Sequence, residues 1–428
     1  MVNKDLVNEL IQSTKEVKLS EVIEREKFSD LLKFMNIDEI SIITGVRRSG
    51  KSTIMLQLLK KLKNVPEENI LYINFEDERL INLTVNDLEK IYQYFIEINN
   101  PKGKIYFFLD EIQEIKYWEK WIRRRYESKN IKFIITGSNA SLLSSEFATA
   151  LTGRNITFDM FPFSFKEYLK WFKIEVDNRI LYSSKKPIVK RYFNKYLKFG
   201  GFPKIAHINE KQRTYLLQRY FTDILYKDIV KRFRIKDVKG FEKFVIYLLT
   251  NISNTMSYYS LRNTYGFSVD TIKEYISYLR TSYLIFEVSF FSFSLKEQQT
   301  RPRKIYCIDT GLRNAISFKF SEDLGRLAEN IVFLELKRKD KEIYYWKSAK
   351  TETDFVIKEG MKIKQLIQVC WNIEDKKTKE REIKGLLESM KEFHLRTGLI
   401  ITEDYFGEEK VDGKKIKFVP LWKWLLED

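Results

Sequence analysis

Cysteine and histidine are almost missing from this chain: 428 residues hold two of each, Cys307 and Cys370, His207 and His394. Two cysteines exclude a disulfide framework, and so few soft ligands argue against a zinc centre. Long apolar runs are missing too, since no stretch approaches the roughly 18 residues that span a bilayer. The first residues, MVNKDLVNELIQSTKEV, are polar and amphipathic, without the apolar centre of a signal peptide. Internal repeats and low-complexity segments are not found. These absences predict a reduced, cytoplasmic protein with no membrane partner. At about 150 residues per domain, the length predicts two to three domains, each able to bury a core without staples.

What is abundant is charge. Lysine and arginine number 76 against 59 acids, a net charge of +17, in a chain that is 44% hydrophobic. A basic excess favours polyanions, with DNA first. A Lys/Glu-rich thermophile surface of ion-pair networks produces a similar composition.

Three blocks separate by pattern. Up to about residue 175, short β runs alternate with amphipathic stretches, which predicts an α/β fold with a mostly parallel sheet. Its strands are expected at 39–44, 69–75, 104–110, 132–137 and 155–160. From about 176 to 290 the pattern is helical, and from about 290 it returns to strands, the first at 287–295.

Gly45, Val46, Arg47, Arg48, Ser49, Gly50, Lys51 and Ser52 fit G-x-x-x-x-G-K-[ST], between an apolar strand and a helix that continues through Thr53. The spacing has a physical reason. Two glycines let the loop turn its N–H groups onto phosphates, at the positive end of a helix. Lys51 reaches the β and γ phosphates of ATP, and the Ser52 hydroxyl ligates Mg²⁺. Farther on, IYFFL runs into Asp110 and Glu111, a buried strand with acids at its tip. Asp110 is expected to hold Mg²⁺ and Glu111 to act as general base. On the next strand tip, Ser138, or else Asn139, is a candidate γ-phosphate sensor, and either could instead cap the helix expected from SLLSSEF. Arg154 is a candidate finger for a neighbouring subunit's γ-phosphate, or a structural ion-pair partner. Val22, Ile23 and Arg25 either contact adenine or pack.

In order, GVRRSGKST, YINFEDERL, FLDEIQEIKYWEKW, ITGSNASLL, LTGRNITFDMFPFSFKEYL and FGGFPKI resemble the AAA+ ATPases of the archaeal ATPase, or AAA-14, family. RPRKIYCIDTGLRNAI, GRLAENIVFLEL and TETDFVI resemble the domain that usually follows. The resemblance covers the whole chain. It implies an AAA+ core over 1–175, a helical lid over 176–210, a helical linker and winged helix over 211–310, and a PD-(D/E)xK nuclease-like domain over 311–428.

The residues of the later blocks are compatible with these modules. Helix, Gly266 turn and helix over 259–276 have helix-turn-helix spacing, with Arg262 and Lys273 on the two helices. Strands 287–295 and 304–308 would form a wing carrying Lys296, Arg301 and Arg303 toward DNA phosphates. The clusters Arg123–Arg125 and Lys231–Arg234 either line a channel or are solvated helix faces. In the last block Glu329 and Asp354 match the nuclease acids, but Gln368 stands in place of the second acid and Cys370 in place of the lysine. The domain is therefore expected to be inactive as a nuclease.

The combined expectation is a Mg²⁺-dependent ATPase that binds DNA and remodels it or moves along it, branched structures included, as a ring-like homo-oligomer, a hexamer. Two other readings stand beside it: a nucleotide-dependent switch acting on a protein partner, and an ATP-gated metal-dependent nuclease.

Overall fold

The computed structural model describes residues 2–19, 21–128, 130–138, 153–176, 184–317 and 324–427. Asn139 and the helix expected from SLLSSEF lie outside these residues. The chain divides into two compact units, Met1–Phe161 and Pro162–Asp428.

In the first unit the strands are β1 (Ile40–Thr44), β2 (Ile70–Asn74), β3 (Ile105–Asp110), β4 (Ile131–Gly137) and β5 (Asn155–Asp159). They form one sheet in the order β2-β3-β4-β1-β5, every neighbouring pair parallel. The connecting helices include α1 (Lys4–Lys15), α2 (Lys51–Lys61), α3 (Val85–Asn99) and α4 (Trp118–Tyr126). Parallel strands need crossovers, and crossovers cover both faces, so the inner strands β1, β3 and β4 must suit a core almost throughout. In β3, Phe107 packs with Phe95, Trp121 and Phe133 on one side. Its neighbour Phe108 joins Met55, Leu58 and Ile134 on the other. The bulky run before Asp110 is the consequence.

The second unit begins helically, with α5 (Lys186–Phe199), α6 (Glu210–Asp223) and α7 (Val238–Thr250). Next come β6 (Thr255–Met256), α8 (Tyr258–Tyr265), α9 (Val269–Thr281), β7 (Ile285–Val288), α10 (Leu295–Thr300) and β8 (Arg303–Cys307). Gly266, at φ 72°, ends α8, and Ser268 starts α9 by accepting from Thr271 N–H at 3.0 Å. The three strands form an antiparallel sheet in the order β6-β8-β7. The strand expected over 287–295 is corrected here: it closes at Val288, and Ser294 caps a helix through Glu297 N–H at 3.4 Å.

After α11 (Thr310–Ile316) and α12 (Leu324–Arg338), a six-stranded mixed sheet closes the unit. It holds β9 (Glu342–Lys347), β10 (Glu352–Glu359), β11 (Lys362–Cys370), β12 (Thr397–Thr402), β13 (Gly407–Val411) and β14 (Lys414–Pro420), in the order β13-β14-β12-β11-β10-β9. Helix α13 (Lys376–Glu392) packs Leu386 and Met390 against Val356, Leu366 and Ile400. The α/β expectation holds in both units.

Candidate nucleotide-binding site

The loop between β1 and α2 is shaped by backbone no ordinary residue adopts easily. Gly45 has φ 145°, and a Cβ there would sit 2.1 Å from the Met160 carbonyl oxygen; Gly50 has φ 102°. Arg48 also has positive φ, 70°. Arg25, buried, braces the loop: its guanidinium donates to Ser49 O at 2.9 Å and to Phe161 O at 2.7 Å. Ile23 O accepts from Gln57 Nε2 at 2.9 Å. In this structure Arg25 and Ile23 make these packing contacts. Arg47 pairs with Glu76 beyond β2 at 2.9 Å. Val46 is buried, while Thr53 is exposed on α2.

Lys51 is only 4% exposed. Its ammonium donates to Gly45 O at 3.1 Å and Val46 O at 3.3 Å, and lies 3.3 Å from Glu111 Oε1. Asp110, at the tip of β3, bonds the Ser52 hydroxyl and accepts from Thr136 Oγ1 and from Tyr72 OH, the last at 3.1 Å. Burial raises its pKa, and the Glu111 charge adds to that, against the hydrogen bonds of Thr136, Ser52 and Tyr72.

Glu111 follows in left-handed backbone, φ 53°, which turns its side chain back toward Lys51. Its N–H donates to Thr136 Oγ1 at 3.0 Å. Its Oε2 accepts from Gln113 Nε2 and from Ser138 N–H, the latter at 3.0 Å. Burial works to raise its pKa, but Lys51, Gln113, Arg47 and the Ser138 N–H together hold it below the ordinary carboxylate value. Glu111 is thus an ionised acceptor in a nearly sealed site.

The residues present fit a nucleotide with its metal. In the loop cradle, Ser49 Oγ is buried without a hydrogen-bond partner among the described residues. Lys51, Ser52, Thr53 and the loop glycines could hold the phosphates, and Ser52 with Asp110 supplies hard oxygen donors of the kind Mg²⁺ takes.

The structure brings Lys51, Ser52, Asp110 and Glu111 together, and adds Ser138 through its backbone N–H. Arg154 is elsewhere. Its carbonyl accepts from Ile40 N–H at 2.9 Å, at the start of β1 and therefore the opposite end of the sheet from the loop. Its guanidinium faces Glu127 at 3.5 Å and the Tyr126 ring at 5.7 Å. Thr136, Tyr72 and Gln113 were missed by sequence reasoning. For Thr136 a signal existed, the only hydroxyl in the buried strand IKFIITG. Tyr72 and Gln113 carry no such mark.

Basic candidates in the second unit are partly neutralised. Arg301 pairs with Glu297 at 2.8 Å, Arg303 with Glu287 at 3.5 Å and Lys273 with Asp270 at 3.6 Å. Arg262 and Lys296 are exposed and show no ion pair among the described residues. Because the expected strand ends early, Lys296 lies on α10 and Arg301 at its C-terminal end, which corrects their placement on a simple hairpin wing. In the first unit, Arg124 and Arg125 both pair with Glu89.

The acids expected from the nuclease resemblance converge on an unforeseen partner. Lys304 of β8, 1% exposed, lies 2.9 Å from Glu329, 2.7 Å from Glu352 and 2.8 Å from Asp354. Tyr306 OH donates to Glu329 at 2.7 Å. Gln368 accepts from Asp354 N–H at 3.0 Å and donates to Glu382 at 2.5 Å. Cys370 is buried, its thiol pushed up to about 12 by desolvation.

Comparison with known proteins adds the following. A family model described as an AAA domain matches residues 37–169, and models of two domains of unknown function, DUF8612 and DUF4143, match 190–323 and 324–424. Uncharacterized protein MJ1544 of Methanocaldococcus jannaschii is 36% identical over 440 residues, covering 99% of this chain and 96% of its own. An uncharacterized Haemophilus influenzae protein is 30% identical over 411 residues, covering 94% and 98%. Among solved structures, the Walker-type ATPase PABY2304 of Pyrococcus abyssi aligns at TM-score 0.46 and 13% identity, over 69% of this chain and 96% of that one. The Aeropyrum pernix ORC1 protein in complex with DNA aligns at TM-score 0.33 and 12% identity, over 69% and 92%.

Proposed function

The chain belongs to the family of MJ1544 and its Haemophilus influenzae relative, with an AAA domain in its first half, and from that premise we propose that it is a Mg²⁺-dependent ATPase acting on DNA. One observation carries the hydrolytic part: Lys51, Ser52, Asp110 and Glu111 meet at one end of a parallel sheet, with Lys51 and Glu111 3.3 Å apart. The loop N–H groups and Lys51 bind the β and γ phosphates, for which Lys51 gives up its bonds to the Gly45 and Val46 carbonyls. Ser52 and Asp110 hold Mg²⁺. When bound, that ion neutralises charge building on the phosphate oxygens. Glu111, kept ionised, takes the proton of the attacking water.

Arg154, at the far end of the sheet, acts on the site of a neighbouring subunit in a ring of six. The second unit supplies the DNA contact. Helices α8 and α9 with the sheet β6-β8-β7 have the order of a winged helix, α10 lies within the wing, and exposed Arg262 and Lys296 lead the phosphate contacts, with Lys273, Arg301 and Arg303 contributing once their acid partners are displaced. Downstream of a lid over 176–210 and this module, the domain over 311–428 is a scaffold. The Lys304 ammonium occupies the point on which Glu329, Glu352 and Asp354 converge, which argues against a cleavage site there.

The deciding experiment is steady-state ATP turnover with single-stranded, duplex, forked and four-way-junction DNA, using Glu111→Gln as the blank. Stimulation by one structure supports a DNA motor and names its track. A rate indifferent to all four, with no binding at moderate salt, turns the reading to a nucleotide switch on a protein partner.

A further inference from the structure

Gln113 sits beside Glu111 with only half of its amide engaged. Its Nε2 donates to Glu111 Oε2, while its Oε1 is buried and has no partner among the described residues. The two ends of this amide cannot be exchanged. An ionised carboxylate only accepts, so the nitrogen must be the amide atom that bonds Glu111, and the carbonyl oxygen is the one left without a partner. A buried carbonyl oxygen without a donor is costly and rare, and beside a sealed acid it marks a place where a donor arrives.

The chemistry around it narrows what that donor is. Glu111 Oε2 is committed to Gln113 and to the Ser138 N–H, so Oε1, facing Lys51, is the oxygen left for chemistry. Once Lys51 turns to a phosphate, two acceptors stand free on adjoining side chains, Glu111 Oε1 and Gln113 Oε1. A water molecule has two hydrogens to give.

We propose that Gln113 is a catalytic residue that positions the hydrolytic water, its Nε2 locking the Glu111 carboxylate and its Oε1 accepting one hydrogen of the water while Glu111 Oε1 accepts the other. The inference rests on the ATPase reading and names the second substrate of that site. In the step, the water oxygen bonds to the γ-phosphorus, and the bond to the bridging oxygen breaks with its electron pair leaving on ADP. The proton facing Glu111 moves to its Oε1, and the one facing Gln113 stays on the released phosphate. Gln113 neither gains nor loses a proton.

The test compares wild type, Gln113→Met and Gln113→Glu in ATP affinity and kcat. Wild-type turnover is measured first, and its absence removes both the ATPase reading and this proposal. Given turnover, Gln113→Met is expected to keep ATP affinity within about twofold while kcat falls ~10–100-fold. Gln113→Glu, nearly isosteric, is expected to be slower still, since a second carboxylate repels the first. Should Gln113→Met fail to fold, this variant carries the test. Wild-type kcat in either folded variant overturns the proposal.

Discussion

Lys51 and Lys304 are both buried against carboxylates, and they do different things. Lys304 meets three acids and is closed in by them, with no backbone carbonyl among the described residues taking its protons. Lys51 meets one acid at longer range and hangs otherwise on two loop carbonyls. Carbonyls are replaceable partners for an ammonium, and ionised carboxylates in a dry site are not. The difference separates a cation poised to change partners from one that is fixed, although composition at the two places is alike. The surplus acid at Lys304 shows in Glu329, whose pKa burial and the Asp354 charge raise to about 8.

The largest effect that would sharpen this contrast is expected from Lys51→Ala, which should abolish ATP binding by calorimetry; unchanged affinity would remove the loop from the argument. Lys304→Met should leave ATP affinity intact but strand three buried acids, destabilising the second unit by about 3–5 kcal/mol in denaturant titrations. A neutral effect there would mean that the acids are not held by the ammonium. Glu111→Gln should bind ATP and turn it over at least ~100-fold more slowly. Mixed with Arg154→Ala subunits it should regain activity, and absence of rescue would count against a site shared between subunits.

A smaller effect lies in the pH dependence of stability. Glu329 keeps its proton in the folded state where the unfolded chain has lost it. That contribution is complete below the ordinary carboxylate range and declines as pH rises toward about 8. Glu329→Gln should flatten this part of the curve. The smallest change is expected at the DNA surface. Removing Arg262 and Lys296 should lower the salt slope of binding by about one per lost phosphate contact. Removing the paired Arg301 and Arg303 should lower it less.

Much of this contrast could be read from local sequence, and some could not. The five strands of the first unit were legible as short β runs, and the inner ones most clearly, because burial on both faces demands apolar runs such as IYFFL. Lys51, Asp110 and Glu111 were legible because glycine spacing and a strand tip are local signals. Lys304 was not, because its partners lie 25 and 50 residues away and only the fold brings them near. Nor was Gln113, whose part depends on which way the left-handed backbone at Glu111 turns the acid. The strand expected over 287–295 failed for a different reason. Alternating Phe and Ser imitate a strand, while Ser294 and Glu297, spaced as a helix-starting pair, carried the decisive signal.

The crowding at Gly45 reaches beyond the site itself. The obstacle to a side chain there is the Met160 carbonyl of the protein's own next segment, 2.1 Å from where a Cβ would be, and no phosphate is involved. The first letter of the nucleotide signature is therefore enforced by the architecture of the sheet itself. A descendant that bound no nucleotide would still be selected to keep this glycine, so that its persistence records ancestry of the fold, whereas the roles proposed for Lys51 and Glu111 leave those two residues free to change with the activity.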